Sequence, residues 1–161
     1  MNNISIIRPC NVFGPYDNFD LETSMVIPAT IRKVLEADTE VSVWGDGTPI
    51  RDFVYSKQVA DQMIFMLENE ISTPLNCGSG DQISIKQMVE TIIQMSGKKL
   101  SISWDTTKPA GDSFRTMDMS KAKALGFVPS YRFEEAIKET IDWYLANGIV
   151  KDRYNAFKET V

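Results

Sequence analysis

Residues 4–19 read ISIIRPCNVFGPYDNF, a short apolar run followed by a segment rich in proline, asparagine and aromatic residues. The apolar, β-branched run at 4–7 predicts a short buried strand. Pro9 and Asn11 end that strand in a loop that continues to about residue 23. Because loops beside rigid elements carry much of the binding and catalysis in proteins, this loop is the first candidate for a functional site.

Downstream, helical and strand-like spacings of apolar residues alternate, which predicts an α/β fold. Ser84 and Gln87 have the spacing of a capping box, and Gly97 is placed to end the helix that they begin. The turn residues at 45–49 predict a hairpin whose arms would bring Trp44 close to Arg51. The predicted strands are 41–44, 50–55, 74–78 and 100–104, and the predicted helices are 24–37, 57–68, 85–95, 120–125 and 133–146.

The 161 residues carry a net charge of −5 and include no histidine. The negative charge argues against nucleic-acid binding, so an anionic ligand would need locally clustered arginine or lysine. Without histidine, Ser-His triads and histidine-bearing zinc sites are excluded. Cys10 and Cys77 lack a C-x-x-C spacing, which predicts reduced packing thiols and no metal site.

The longest apolar runs are too short to cross a membrane, and the N-terminus lacks the basic and apolar regions of a signal peptide, so we expect a cytoplasmic protein. The sequence has no G-x-G-x-x-G after a strand and no Walker-type loop. Residues 78–80, Gly-Ser-Gly, are the nearest pattern to a phosphate-binding loop. A plain turn is the better interpretation, because glycine serves turns so often.

Five segments occur in the order seen in one enzyme family: RPCNVFGPYDNF, VWGDGTPIRDFVYSKQVAD, LNCGSGDQISIKQMVE, DTTKPAGDSFRTMDMSKAKALGFVP and FEEAIKETIDWYLANG. They resemble the C-terminal half of the NAD(P)-dependent sugar-nucleotide epimerases and dehydratases, the extended short-chain dehydrogenases/reductases. Within that family, NVFGPYDNF, VIPA, VWGDGTP and DTTKP look most like the GDP-L-fucose synthase group.

The resemblance implies that 1–161 is a single C-terminal, substrate-binding portion of such an enzyme, without the N-terminal nucleotide-binding half. Residues 1–22 would be the strand and loop leaving a Rossmann sheet, and residues 23–161 the sugar-nucleotide lobe with its returning elements. The family carries its glycine-rich loop and its Tyr-x-x-x-Lys pair ahead of this point. We therefore expect neither in this chain, no catalytic residue among its side chains, and no activity of the chain alone.

The same resemblance assigns four residues to the substrate. Arg51 and Arg115 would bind its diphosphate, Trp44 would stack against it, and Lys33 would lie close to it. A sugar nucleotide needs such forked cationic donors and a flat apolar surface. The plain alternatives are surface ion pairs for the arginines, a core aromatic for Trp44 and a solvated helix face for Lys33.

The cofactor side of the site, near the nicotinamide, would be formed by Pro9, Cys10, Asn11 and Val12. The plain alternative for Asn11 is a turn-forming residue. Two positions depart from the GDP-L-fucose synthase group: Met25 stands where the group has histidine, and Ala110 where it has a substrate-binding aspartate.

Two functions are compatible with these residues. One is the sugar-nucleotide-binding portion of an NAD(P)-dependent epimerase, dehydratase or keto-sugar reductase, with a GDP-sugar favoured over a UDP-sugar. NAD or NADP would serve the intact enzyme, and this chain alone would not hold either tightly. The other is a non-catalytic binding or oligomerisation module derived from the same family. We expect neither nucleic acid nor a membrane as partner, and we expect a homo-oligomer, because the strands at 4–7 and around Leu75 would have unpaired edges.

Overall fold

The computed structural model describes residues 4–108 and 111–148, and strands and helices alternate along them. The strands are β1 Ile7–Pro9, β2 Asn11–Phe13, β3 Glu40–Trp44, β4 Ile50–Arg51, β5 Phe53–Tyr55, β6 Leu75–Cys77, β7 Ile83–Ser84, β8 Ser101–Asp105 and β9 Phe114–Arg115. The helices are α1 Val26–Glu36, α2 Ser56–Glu68, α3 Ile85–Ser96, α4 Ser120–Ala124 and α5 Phe133–Asn147.

The first two strands form one extended stretch that changes partner at Cys10. β1 pairs in parallel with β6, and β2 pairs in parallel with β5. Since α2 connects β5 to β6, this part of the chain is a strand-helix-strand crossover of the kind that builds parallel sheets. The N-terminal strand and the strand around Leu75 pair with each other, so the expectation of unpaired edges is wrong for the edges at which β1 and β6 meet.

The predicted buried strand at 4–7 is wrong in its bounds and its burial. The ladder begins only at Ile7, which lies opposite Leu75. Ile4 and Ile6 keep 67% and 47% of their surface exposed. The reason is the short partner strand, because β6 has only three residues and cannot pair with the chain before Ile6.

A second layer holds the main hydrophobic core. β3 and β8 pair in parallel, and α3 packs against both α1 and α5. Along β3 the buried side chains are Val41 and Val43, as the two-residue period of a half-buried strand requires. Fully buried side chains from the three helices meet in this core: Ile31, Val34, Met88, Val89, Ile92 and Ile137.

The predicted hairpin between 41–44 and 50–55 is wrong. β3 takes β8 as its partner, whereas β4 pairs antiparallel with β7 and in parallel with β9. The Asp46 carboxylate accepts bonds from the backbone N–H and the hydroxyl of Thr48, and this local turn fixes the loop between the strands. Alternating apolar residues indicate a strand but carry no information on which strand lies beside it.

The local signals at helix ends are confirmed. Ser84 accepts from the Gln87 backbone N–H while the Gln87 side chain accepts from the Ser84 N–H, so the capping box is complete. Gly97 ends α3 in the left-handed region, with φ of 74°. In the described part of the chain, no helix has the length and apolar character that a membrane crossing requires.

Candidate functional site

The four residues predicted on the cofactor side line one pocket together with a predicted substrate arginine. The pocket has a volume of about 380 Å³ and opens between the β1–β2 stretch and the end of β9. One wall comes from the β1–β2 stretch, which the sequence predicted as the start of a loop and the structure shows as strand, and the other comes from the strand that carries Arg115. Its lining residues are Pro9, Cys10, Asn11, Val12, Met25, Arg115, Thr116 and Met117.

The two predicted diphosphate-binding arginines lie side by side. Arg51 of β4 and Arg115 of β9 are register partners in a parallel ladder, so their side chains leave the sheet on the same face. Such a pair presents two forked cations to one anion, which is the arrangement that a diphosphate requires. The structure thus places Arg51 beside Arg115, and Arg115 lines the pocket together with the 9–12 wall.

Neither arginine is held by a strong ion pair. Arg115 Nη1 lies 3.9 Å from Asp112 Oδ2, and both side chains are about two-thirds exposed. An exposed pair at this distance contributes little to stability. Arg51 Nη1 donates to the main-chain oxygen of Ile50 at 2.8 Å, and within 4–108 and 111–148 Arg51 has no acidic partner within 4.0 Å. The surface ion-pair alternative therefore explains Arg51 poorly and Arg115 only in part.

Trp44 is not a core aromatic, because 60% of its surface is exposed. The core position is taken by Trp104 of β8, which packs against the main cluster. The ammonium nitrogen of Lys108 lies 5.7 Å from the centroid of the Trp44 ring, within cation–π range. Trp44 therefore offers an accessible flat surface with a cation beside it.

Lys33 lies beside the strand that carries Trp44. Its Nζ is 3.5 Å from the main-chain oxygen of Ser42, two residues before Trp44. Lys33 and Trp44 do not line the 380 Å³ pocket, so the structure separates them from the 9–12 wall. Gly111 lies close to Arg51, since an added Cβ on Gly111 would be 3.3 Å from Arg51 Nη2. Ala110, one of the two departures from the family pattern, lies outside the described residues.

Asn11 is a strand residue and does not form a turn. Its side-chain nitrogen donates to the main-chain oxygen of Asp52 at 2.7 Å, so this donor is committed to the protein itself. Burial and the negative charge of Asp52 raise the pKa of the Cys10 thiol, which keeps the sulfur protonated. The wall is therefore a shaped binding surface without a reactive nucleophile at Cys10.

Sequence patterns did not single out Thr116 or Met117 as part of the pocket. Both follow β9 and carry no motif of their own, and only the pairing of β9 with β4 moves them opposite the 9–12 wall. Met25, at the N-terminal end of α1, completes the lining. Met25 is the position at which the resemblance implies a histidine, and its place in the pocket puts that difference at the candidate site.

The expectation that the chain has no Tyr-x-x-x-Lys spacing needs correction. Tyr154 and Lys158 have that spacing, although they lie outside the described residues. They follow α5 near the end of the chain, whereas the family's pair precedes the segment that begins here at residue 4. The order along the chain thus does not match the family's catalytic pair.

The chain matches known proteins over most of its length. Residues 2–78 match the NAD dependent epimerase/dehydratase family. GDP-L-fucose synthase 1 from Arabidopsis thaliana is 38% identical over 144 residues, which cover 86% of this chain and 45% of that protein. This chain spans about half the length of the curated relatives that it matches.

Solved structures show the same fold. A GDP-L-fucose synthetase from Naegleria fowleri bound to NADP is 33% identical with a TM-score of 0.80, and the match covers 86% of this chain and 46% of that one. A UDP-N-acetylglucosamine 4-epimerase from Methanobrevibacter ruminantium is 28% identical with a TM-score of 0.78, over 88% of this chain and 46% of that one. The relatives thus include proteins named for both GDP- and UDP-sugars.

Proposed function

Since the chain belongs to the NAD dependent epimerase/dehydratase family and is a partial extended short-chain dehydrogenase/reductase, we propose that it is the sugar-nucleotide-binding portion of a GDP-L-fucose-synthase-like enzyme. That enzyme would be an NAD(P)-dependent epimerase, dehydratase or keto-sugar reductase. Residues 1–22 would lead out of its dinucleotide-binding sheet, and residues 23–161 would hold the sugar nucleotide. In this proposal the hydride chemistry is carried out outside the described residues, and this chain binds and orients the substrate.

One observation carries the proposal. Arg51 and Arg115 are register partners, and Arg115 also lines the pocket formed by Pro9, Cys10, Asn11 and Val12. A diphosphate bound by the two guanidinium groups would therefore lie next to the wall assigned to the nicotinamide. Hydride transfer requires the sugar to lie against the nicotinamide, and a diphosphate bound there would place the sugar attached to it within reach of that wall.

Calorimetric titration of the 161-residue chain with GDP, UDP and NADP⁺ tests the proposal. We expect Arg51→Ala and Arg115→Ala each to weaken GDP binding by about 1.5 to 3 kcal/mol, roughly 10- to 150-fold, because each removes a charge-assisted hydrogen bond. Arg132→Ala is a matched control, since Arg132 also lies 3.9 Å from a carboxylate, that of Glu134, and is similarly exposed.

The results distinguish a GDP-sugar from a UDP-sugar substrate, and a specific arginine site from an effect of overall charge. Tighter binding of GDP than of UDP supports a GDP-sugar substrate, and the reverse order assigns a UDP-sugar. Equal loss in the Arg132 variant and in the two site variants would mean that only overall charge matters. The absence of binding of any of the three nucleotides to the wild-type chain would contradict the proposal.

We also propose that the chain self-associates. Met63, Ile64 and Leu67 form an exposed apolar stripe on the side of α2 that faces away from the core, and Ile4 and Ile6 are exposed beside β1. A helix that is apolar on two faces is expected to be buried on both. Light scattering should give a mass above 18.2 kDa for the chain, and a monodisperse monomer at high concentration would contradict this.

A further inference from the structure

Asp52 is a buried acidic residue at the point where the chain passes from one sheet to another. It lies between β4, which pairs with β7 and β9, and β5, which pairs with β2. Only 1% of its surface is exposed. Among the described residues, no lysine or arginine lies within 4.0 Å of its carboxyl group. Burying an acidic group without a cationic partner is costly unless hydrogen bonds compensate it, so the contacts of this side chain indicate what it does.

The Asp52 side chain holds a glycine-containing turn. One carboxyl oxygen accepts from the Ser79 backbone N–H at 2.8 Å and from the Ser79 hydroxyl at 2.7 Å. The other oxygen is buried without a hydrogen-bond partner in the described structure, and it lies against Gly78 so closely that an added Cβ there would be 2.2 Å away. Because Ser79 N–H is already bound, the 78–80 turn does not offer that donor to a phosphate.

The same turn is fixed from its other side by α2. The side-chain nitrogens of Gln58 and Gln62 donate to the main-chain oxygens of Gly78 and Asn76, at 2.7 and 2.8 Å. Both glutamines are fully buried. The turn, to which the Asp52 carboxyl group is bonded, is therefore rigid, since buried hydrogen-bonded networks have little freedom to rearrange.

Asp52 connects the rigid 78–80 turn to both walls of the 380 Å³ pocket. Its main-chain oxygen accepts from the Asn11 side chain, which belongs to the first wall. The turn that it holds touches the second wall, because an added Cβ on Gly78 would lie 3.0 Å from the Met117 Cβ. The preceding residue, Arg51, is the register partner of Arg115 in that second wall.

We propose that Asp52 is a positioning residue that sets the distance between the 9–12 wall and the 115–117 wall of the pocket. The role rests on the proposed function, since it gives the pocket a bound nucleotide to orient. Asp52 does not line the pocket and would act through Asn11, the Gly78–Ser79 turn and Arg51. The hydrogen bonds from Ser79 to its carboxyl group fix the Gly78–Ser79 turn. The hydrogen bond from the Asn11 side chain to its main-chain oxygen fixes the first wall relative to Asp52.

The test compares Asp52→Ala with the conservative Asp52→Asn in the full chain. The alanine variant loses the acceptor for both Ser79 donors, whereas asparagine keeps one carbonyl oxygen that can accept from Ser79. Thr140→Ala is the matched control: Thr140 is also fully buried and its hydroxyl makes one hydrogen bond, to Ala136 within α5, away from the pocket.

Two measurements are made on each variant: amide hydrogen exchange of the segments at 9–13 and 114–119, and the dissociation constant for GDP. We expect Asp52→Ala to raise exchange in both segments and to weaken GDP binding roughly tenfold or more, because misplacement of binding groups by about 1 Å is costly. Asp52→Asn should lie close to the wild type in both measurements. Thr140→Ala should change neither, although it lowers the free energy of unfolding.

Unchanged exchange at 9–13 and 114–119 in Asp52→Ala, or an equal rise in Thr140→Ala, would overturn the positioning role. If the wild-type chain binds none of GDP, UDP and NADP⁺, the proposed function fails, and the exchange data alone then decide the positioning role. If Asp52→Ala does not fold, Ser79→Ala replaces it, because it removes one of the two donors. It should then raise exchange in the same two segments, and no rise in either would equally overturn the proposal.

Discussion

Replacing Gly78 by alanine should destabilise the protein by about 3 kcal/mol or more. An added Cβ would lie 2.2 Å from an Asp52 carboxyl oxygen and 3.0 Å from the Met117 Cβ, distances that force a neighbour to move. Overpacking of this kind costs about 1 to 3 kcal/mol by itself. If Asp52 moves to make room, it also loses one or both bonds to Ser79, each worth about 1.5 to 3 kcal/mol for a charged acceptor.

Gly97→Ala is the matched control for this substitution. Gly97 ends α3 with φ of 74°, and an added Cβ there has nothing within 4 Å. Alanine at Gly97 therefore costs only the left-handed backbone conformation, about 1 to 2 kcal/mol. The backbone at Gly78 is not in that region, so its penalty is purely one of contact.

Urea denaturation followed by circular dichroism measures both free energies of unfolding. The Gly78 variant should lose clearly more stability than the Gly97 variant. In an Asp52→Ala background, Gly78→Ala should cost much less, because the carboxyl group that it would strike is gone. Equal losses in the two single glycine variants, or an undiminished loss in the Asp52→Ala background, would refute the contact as the cause.

Three further outcomes are expected. Ser84→Ala, which breaks the capping box with Gln87, should lower the free energy of unfolding by about 1 kcal/mol in the same assay, and an unchanged urea midpoint would contradict this. Burial raises the pKa of the Cys77 thiol to about 12, so at pH 8 maleimide labelling of native Cys77 should be slower than in urea by a factor of about 10³ or more, and equal rates would contradict the burial. The hydrogen bond from Lys57 lowers the pKa of Glu139, so this contact stabilises the fold above the ordinary glutamate pKa and is lost as the pH falls through the lowered value. The difference in melting temperature between wild type and Lys57→Met should therefore shrink on acidification, and a constant difference from pH 7 to pH 3 would contradict this.

The sequence predicted well wherever the cause is local. The Ser84 capping box and the Gly97 helix end are confirmed because both depend on residues within one turn of the helix. The family resemblance is also confirmed, since it rests on several segments in one order. Helix bounds differed by a residue or two, as at α1, which begins at Val26.

The sequence predicted poorly wherever the partner is distant. The hairpin at 41–55 was wrong because Val41 and Val43 specify a buried face, and residues about 60 positions away supply the neighbouring strand. The burial of Ile4 and Ile6 was wrong because it depends on the length of β6. The local sequence did not show which tryptophan is exposed. Trp44 is exposed, whereas Trp104 packs in the core.

By itself the sequence determined the α/β class and the family, because these follow from local spacing and from ordered motifs. Only the tertiary structure decided that Arg51 and Arg115 are register partners and that residues 9–12 face residues 115–117. It also assigned to Asp52 a place behind the pocket. The physical reason is that strand pairing is set by the burial of whole faces and by long-range hydrogen bonds, which join residues that no short sequence pattern relates.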